Sequence, residues 1–190
     1  MYTKVSIPKT KDGAGCAVAK DPNVIVMFAE DIQTEPTRVH GNVNLSGNYA
    51  LKDGTHAIGI YLTPATIADG YDTEGEADGK GFKHKIEGEH PGNDAALENF
   101  VEGSINKGVV ILRKECDGTA AGSWKAFGSK CNPLFLSPEV TDSKEANKTK
   151  LAWAQEQAQP YLPGTYTGTI PALDTDGSGS GSGSGSGDGA

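Results

Sequence analysis

The chain has 190 residues, of which 36% are hydrophobic, 22% are charged and 26 are glycine. This length fits one domain that can bury a core without a metal or a disulfide framework. The formal net charge of −8 argues against nucleic-acid or anionic-membrane binding through clustered lysine and arginine. No apolar run has the length of a membrane span, and the N-terminus lacks the apolar stretch of a signal peptide. The odd number of cysteines argues against a disulfide framework, so we expect synthesis in the cytoplasm.

Composition divides the chain into a body and an arm. Residues 177–190 contain seven of the glycines and five serines, a pattern typical of a flexible coil. We therefore expect a single β-rich domain over residues 1–173 and a flexible Gly/Ser-rich arm over residues 174–190.

In the first half of the body, short β-prone stretches lie between turn residues. The apolar run 24–29 predicts a buried strand. The alternation over 38–45, interrupted by Gly41, predicts a half-buried strand with a possible bulge. Residues 56–63 predict a further strand, closed by Pro64.

A polar stretch with almost no apolar side chains follows at residues 68–80. It predicts a long acidic loop that stays outside the core. Alternation resumes at residues 82–87 and predicts a strand with Phe82, His84 and Ile86 on one face.

One helix is predicted, at about residues 93–102. Asn93 follows a Pro-Gly turn and can cap the first turn, while Gly103 supplies a stop signal. A helix this short does not persist alone in water, so it must pack on a sheet. Its predicted apolar stripe consists of Leu97, Phe100, Val101 and Ile105.

The second half predicts more strands. Residues 109–116 and 123–129 predict a hairpin around Asp117-Gly118. The remaining predicted strands are 134–136, 150–157 with Trp153 on one face, and 166–170.

The sequence offers no convincing metal site. On a strand, His84 and Glu87 point to opposite faces, which argues against a site spanning residues 84–90. The acids at 72, 74, 76 and 78 alternate as in a calcium loop, but Ala77 stands where that loop requires glycine and Lys83 where it requires glutamate.

Catalytic and cofactor motifs are equally weak. The chain has no Gly-x-Ser-x-Gly elbow, and no Gly-Lys-Ser or Gly-Lys-Thr follows the glycines near residue 13. Cys16, Cys116 and Cys131 form no CxxC pair and predict free thiols, the last two as small buried residues. We expect no catalytic residue, no cofactor and no metal, and hence a protein that is not an enzyme.

Turn and packing residues over residues 81–170 occur in a suggestive order. They are Gly81-Phe82-Lys83-His84, Pro91-Gly92-Asn93, Leu97, Phe100, Asn106, the strand 109–112, Asp117-Gly118, Phe127-Gly128-Ser129, Asn132-Pro133-Leu134, the strand 151–157 and Pro160. This ordered set resembles the tail tube, or major tail, proteins of tailed bacteriophages.

The resemblance implies a β-sandwich or β-barrel-like tail-tube fold with one short flanking α-helix. It implies a virion structural protein of the tail, whose subunits form rings, typically hexamers, stacked into a conduit for DNA. The implied partners are the chain itself and other tail proteins, with DNA passing without specific binding and no membrane. On this template the candidate inter-subunit contact loop contains Asp69, Asp72, Glu74, Glu76 and Asp78.

Two alternatives remain open from the sequence. One is a capsid decoration or head-fibre protein. The other is a β-sandwich binding module for glycans or host surfaces, in which exposed Trp124, Trp153 and Tyr161 would contact the ligand. The alternating strand around Trp153 favours a place in the core for that side chain.

Overall fold

The computed structural model describes residues 6–8, 19–39, 41–114, 123–144 and 146–174. The predictions for Cys16, Cys116, the Asp117-Gly118 turn and the arm beyond residue 174 lie outside these residues. The described elements are β1 (Asn23–Phe28), β2 (Ile32–Thr34), β3 (Thr37–Arg38), β4 (Leu45–Ser46), β5 (Ala50–Leu51), β6 (Ile58–Tyr61), β7 (Ala68–Glu74), β8 (Gly81–Pro91), α1 (Ala95–Ser104), β9 (Val109–Lys114), β10 (Trp124–Phe127), β11 (Leu134–Asp142), β12 (Asn147–Gln155) and β13 (Gly164–Tyr166).

Nine of these strands form one antiparallel sheet with two wings. The first wing has the order β6-β1-β9-β10-β13. The second wing has the order β11-β12-β8-β7 and joins the first where Leu134 pairs with Val109. The pairs β2-β5 and β3-β4 form two small separate sheets. The fold is therefore mainly β and β-sandwich-like with one short helix, as the sequence predicts.

The first core lies between the two wings. Alternate residues of β1 and β9 meet alternate residues of β8, β11 and β12 there, and α1 adds Leu97. Trp153 is 1% exposed, which confirms its predicted place in the core. The buried members are Val24, Val26, Ile60, Leu62, Ile67, Ile86, Leu97, Val109, Ile111, Phe127, Leu134, Leu136, Leu151 and Trp153.

A second core covers the opposite face of the first wing. Met27 and Val110 point away from the first core and pack with Ile32, Tyr49 and Tyr166. Strands β1 and β9 are thus buried on both faces, which is why their sequences are continuous apolar runs rather than alternating ones. The other buried members are Ile25, Ala57, Leu112 and Ala126.

The segment 38–45 is not the single bulged strand that its alternation predicts. It contains the end of β3, a turn and the start of β4, and the two strands pair antiparallel. Gly41 has a φ of 82°, and the Asn42 N–H donates to the Val39 carbonyl, so the chain reverses there. The alternating valines 39 and 43 are exposed in this turn instead of packing on one face.

The predicted helix exists but is shifted by two residues. Asp94 rather than Asn93 caps it, because the Asp94 carboxylate accepts from the Leu97 N–H at 2.8 Å. The helix continues through Gly103 to Ser104, so this glycine does not stop it. Leu97 is buried, and Phe100 and Val101 pack against the first core, but Ile105 is exposed.

Two of the last three strands lie where they were predicted, with different lengths, and the third is displaced. β11 continues well past the predicted 134–136 because it pairs with β12 along its whole length in a hairpin. β13 covers Gly164–Tyr166, so the predicted strand 166–170 was wrong beyond Tyr166. The Tyr166 hydroxyl donates to the Thr169 carbonyl at 2.5 Å, which closes a turn over the residues predicted as strand.

Candidate functional site

The predicted acidic loop is mostly a strand. Residues 68–74 form β7 and pair with β8 from Glu87 to Gly81, so only residues 75–80 connect the two strands. Gly75, with a φ of 115°, and Asp78, with a φ of 68°, form the left-handed positions of this turn. The expectation of a long loop was wrong because polar residues on the outward face of an edge strand need no core.

The outward face of this hairpin carries paired charges. Lys85 binds Asp72 at 2.8 Å and Lys83 binds Glu74 at 2.7 Å, in each case diagonally across the two strands. Such exposed cross-strand pairs contribute a few tenths of a kcal/mol to about 1 kcal/mol each. Two of the five predicted contact residues are therefore already neutralised by lysines of their own chain.

The same pattern continues on the neighbouring strand pair. Lys148 of β12 binds Glu89 of β8 at 2.7 Å, and Lys150 binds Glu87 at 2.9 Å. The hydrogen bond and charge of Glu87 raise the pKa of Lys150. The outward face of the second wing thus carries paired lysines and carboxylates rather than an acidic patch.

Asp69 has a different environment from the other predicted residues. It points inward from β7, where its side chain is 10% exposed and accepts from the Arg113 guanidinium at 2.6 Å. Its other oxygen accepts from the Lys20 ammonium. Asp69 therefore links β7 of the second wing to β9 of the first, and is not part of a solvated loop.

Glu76 and Asp78 lie in the turn between β7 and β8. Both are exposed, and neither forms an ion pair within the described part of the chain. Of the five predicted contact residues, these two alone keep free carboxylates at an exposed position. The structure thus separates the predicted set into one buried residue, two paired ones and two free ones.

The outer edge of β7 is open. Among the described residues no strand pairs with it, and it forms one end of the nine-stranded sheet. The other ends of the sheet are partly covered. Thr165 of β13 forms a bridge with Asn44, and Ala57, next to β6, forms a bridge with Leu173. Tyr71 in the middle of β7 is 46% exposed. An open edge of seven residues with an exposed aromatic side chain is a template for pairing with another chain.

A cavity of about 290 Å³ opens beneath β7, where the first core ends. We call it the basic cavity, because Arg113 and Lys125 line it together with Asp69. Its other lining residues are apolar or glycine, namely Val43, Gly70, Tyr71, Phe127, Leu162 and Pro163. Arg113 was not predicted as a functional residue. It directly follows the apolar run 109–112 within β9, and an arginine that continues a buried strand is a recognisable signal for a buried acidic partner.

A second cavity, of about 370 Å³, has His84 in its wall. The His84 Nδ1 accepts from the Gly128 N–H at 3.1 Å, which places the proton on Nε2, 2.9 Å from the Tyr161 carbonyl oxygen. Burial lowers the pKa of His84 to about 4. Both contacts favour a neutral imidazole that joins β8 to two loops, which is a structural role.

The aromatic side chains do not form an exposed platform. Trp153 is in the first core, and Trp124 is half-buried against the second. Tyr161 is half-buried as well, with the Arg38 guanidinium 5.1 Å from the centre of its ring. Only part of the Trp124 ring and part of the Tyr161 ring remain open to a ligand.

Cys131 is exposed on the wall of the second cavity, so its predicted burial was wrong; it lies in the turn before β11 rather than in a strand. The described residues contain no group of three or more side chains able to hold a metal ion. Within them, α1 falls far short of the length and apolar character of a membrane-spanning helix.

Comparisons with known proteins identified no relative of the chain. No protein-family model, no curated protein and no solved structure matches the chain.

Proposed function

We propose that the chain is a virion structural subunit of the bacteriophage tail-tube type, which assembles with copies of itself. The observation that supports this most directly is the open edge of β7 at the end of a nine-stranded sheet. The ordered motifs over residues 81–170 supply the resemblance to tail tube proteins, and the edge supplies a joint through which such subunits connect.

The physics of the edge favours pairing. An exposed strand presents a row of unpaired N–H and C=O groups, and a neighbouring strand satisfies them without any change of fold. A partner on this edge would also cover Tyr71, which packs edge-on against Phe82 at 5.3 Å between ring centres. Of the devices that protect edge strands, β7 contains charged side chains but no proline, and two of those charges are already paired with lysines of β8.

The net charge fits the same function. A protein with a charge of −8 repels phosphate groups, so DNA can slide past it without being held. The paired charges on the outward face of the second wing reduce its tendency to bind charged partners nonspecifically.

The test is the assembly state of the purified chain. Light scattering after size-exclusion chromatography and negative-stain electron microscopy should show rings or tubes. A chain that stays monomeric at all concentrations contradicts the proposal. Antibody labelling of virions should mark the tail; labelling of the shell would support the decoration-protein alternative instead.

A matched pair of variants tests the edge itself. Tyr71→Ser removes the exposed aromatic side chain of β7, and Tyr61→Ser removes one of nearly equal exposure, 45% against 46%, from β6. We expect Tyr71→Ser to raise the concentration needed for assembly about tenfold, and Tyr61→Ser to leave it near the wild-type value. Equal effects of the two variants would show that the edge of β7 is not the joint.

A further inference from the structure

We propose that the second cavity, which has His84 in its wall, binds a small zwitterion: a free amino acid or a dipeptide with an apolar side chain. Arg38 binds the carboxylate of this ligand and Glu35 binds its ammonium group. The site goes beyond the proposed structural function, and its binding can be measured whether or not the chain assembles.

Arg38 supplies a positive charge that no carboxylate of the described residues neutralises. Its Nε donates to the Asn42 carbonyl at 2.9 Å and its Nη1 donates to the Leu162 carbonyl. The guanidinium carbon lies 5.1 Å from the centre of the Tyr161 ring. These contacts hold the guanidinium at the cavity wall and leave its Nη2 donors for a ligand. Burial lowers the pKa of Arg38, and a bound carboxylate would stabilise the charged form again.

Glu35 supplies the opposite charge on the wall of the same cavity. One of its oxygens accepts from the Lys130 N–H at 3.0 Å, and within the described part of the chain no cationic side chain forms an ion pair with it. Glu35 and Arg38 are three positions apart, so their backbones are separated by at most about 11 Å. A ligand that carries both charges can therefore reach both residues.

Tyr49 adds a polar group that lacks a partner. The residue is 5% exposed, and its ring packs edge-on against Tyr166 at 5.1 Å between ring centres. Its hydroxyl forms no hydrogen bond with any residue that the structure describes. Burial, and after it the charge of Glu35, raise the pKa of Tyr49, so the hydroxyl keeps its proton. A buried hydroxyl is costly unless a ligand or water binds it.

The size and the walls of the cavity define the rest of the ligand. Its volume of about 370 Å³ lies at the lower end of the range for small-molecule pockets, roughly 300–1,000 Å³. Pro36, Leu45 and Pro160 make part of the wall apolar. Cys131 on the same wall is exposed, so the cavity is open to solvent. An amino acid or a dipeptide with an apolar side chain fits this combination.

Isothermal titration calorimetry of the full chain with matched compounds tests the two charges of the ligand. Phenylalanine and glycyl-phenylalanine carry both charges, 3-phenylpropionate lacks the ammonium group, and phenethylamine lacks the carboxylate. We expect a zwitterion to bind and both single-charge compounds to bind at least about tenfold more weakly, because each loses one charge-assisted hydrogen bond. The relative affinity of the two zwitterions distinguishes a free amino acid from a dipeptide.

A second measurement locates the bound zwitterion. Alkylation of Cys131, followed by mass spectrometry of the peptide that contains it, should be slower in the presence of the zwitterion than in its absence, because Cys131 lines the cavity. An unchanged rate at a saturating concentration would place the ligand elsewhere and overturn the assignment.

Variants test the two charges of the protein. Arg38→Gln and Glu35→Gln should each weaken binding of the zwitterion at least about tenfold. Lys52→Gln and Glu30→Gln are the matched controls, because both residues are exposed and neither lines the cavity, and they should leave the affinity unchanged. Circular dichroism verifies the fold of each variant. If Arg38→Gln does not fold, Glu35→Gln carries the test, since glutamine keeps an oxygen for the backbone N–H of residue 130.

Three results of the titrations would overturn the inference. They are no binding of either zwitterion up to about 10 mM, equal affinity for the zwitterions and the single-charge compounds, and unchanged affinity in the folded cavity variants. None of them bears on assembly, which is measured separately. A chain that binds the zwitterion but remains monomeric supports this site and contradicts only the proposed function.

Discussion

His84 shows how one buried side chain can fix the arrangement of three segments. Its Nδ1 accepts from Gly128 and its Nε2 lies within hydrogen-bond distance of the Tyr161 carbonyl, while its backbone N–H donates to the Gln155 side chain at 2.8 Å. The groups that face it from the neighbouring elements include Arg38, whose charge adds to the effect of burial in lowering the pKa of His84. A proton on Nδ1 would point at the N–H of Gly128, and that N–H would lose its hydrogen-bond acceptor.

The pH dependence of stability follows from this geometry. The unfolded chain takes up a proton on His84 near its ordinary pKa of 6.5, whereas the folded chain does so only near pH 4. This contribution to stability is therefore complete above pH 6.5 and decreases as the pH falls through that value toward 4. Between pH 7 and pH 5 we expect a loss of about 2 kcal/mol in the free energy of unfolding.

Urea denaturation at the two pH values measures the effect. The variant His84→Gln has no titratable group at this position, so its loss between pH 7 and pH 5 should be smaller than that of the wild type by about 2 kcal/mol. Equal losses in the two proteins would show that His84 does not contribute to the pH dependence.

At the scale of the element, strand β7 contains two aspartates with opposite roles. Asp69 points inward to the buried guanidinium of Arg113, and Asp72 points outward to the exposed ammonium of Lys85. Breaking a buried ion pair costs far more than breaking an exposed one, because the remaining charge stays out of water. The two residues test this difference within one strand.

We expect Asp69→Asn to lower the free energy of unfolding by about 3 kcal/mol, and Asp72→Asn by less than about 1 kcal/mol. Both substitutions conserve size and remove one negative charge, so they differ mainly in the burial of the partner. Chemical denaturation in the same buffer compares them. Similar costs for the two variants would mean that water reaches Arg113 freely.

The sequence predicts the elements that depend on burial. The apolar run at β1, the alternation in β8 and β12, and the stripe of α1 each follow from contact with a core. Strand β7 could not be predicted in this way, since its outward residues are polar and its inward Asp69 meets an arginine 44 positions away. One signal was present: acids at 72 and 74 and lysines at 83 and 85 are placed symmetrically about the turn, as a hairpin with cross-strand ion pairs requires.

The candidate site, like the fold, could be predicted from the sequence only in part. Sequence composition locates the acidic segment but does not tell which of its carboxylates are free, because that depends on the strand register. The basic cavity could not be predicted at all, since Arg113 and Lys125 become neighbours only through the pairing of β9 with β10. The direct opposition of the two cations is a property of the register rather than of either segment.

At the scale of the whole molecule, the two cores share strands β1 and β9. Val26 and Ile111 face the first core, while Met27 and Val110 face the second. Loss of either strand would expose both cores, so the described part of the chain should behave as one cooperative unit.

We therefore expect a single unfolding transition. Tryptophan fluorescence of the wild type reports on both cores, and the variant Trp153→Phe leaves Trp124 as a reporter of the second core alone. In that variant the urea midpoints from fluorescence and from far-ultraviolet circular dichroism should coincide. Separate midpoints would show that the second core unfolds independently.

The ends of the nine-stranded sheet are unlike, because β7 is open whereas Thr165 of β13 and Ala57 next to β6 form bridges with Asn44 and Leu173. If a second copy of the chain pairs with the open edge through its own β7, the contact is two-fold symmetric and closes after two chains. If it pairs through a different strand, the contact is heterologous and continues to a ring or a filament. The number of chains in an assembly therefore distinguishes the two kinds of pairing.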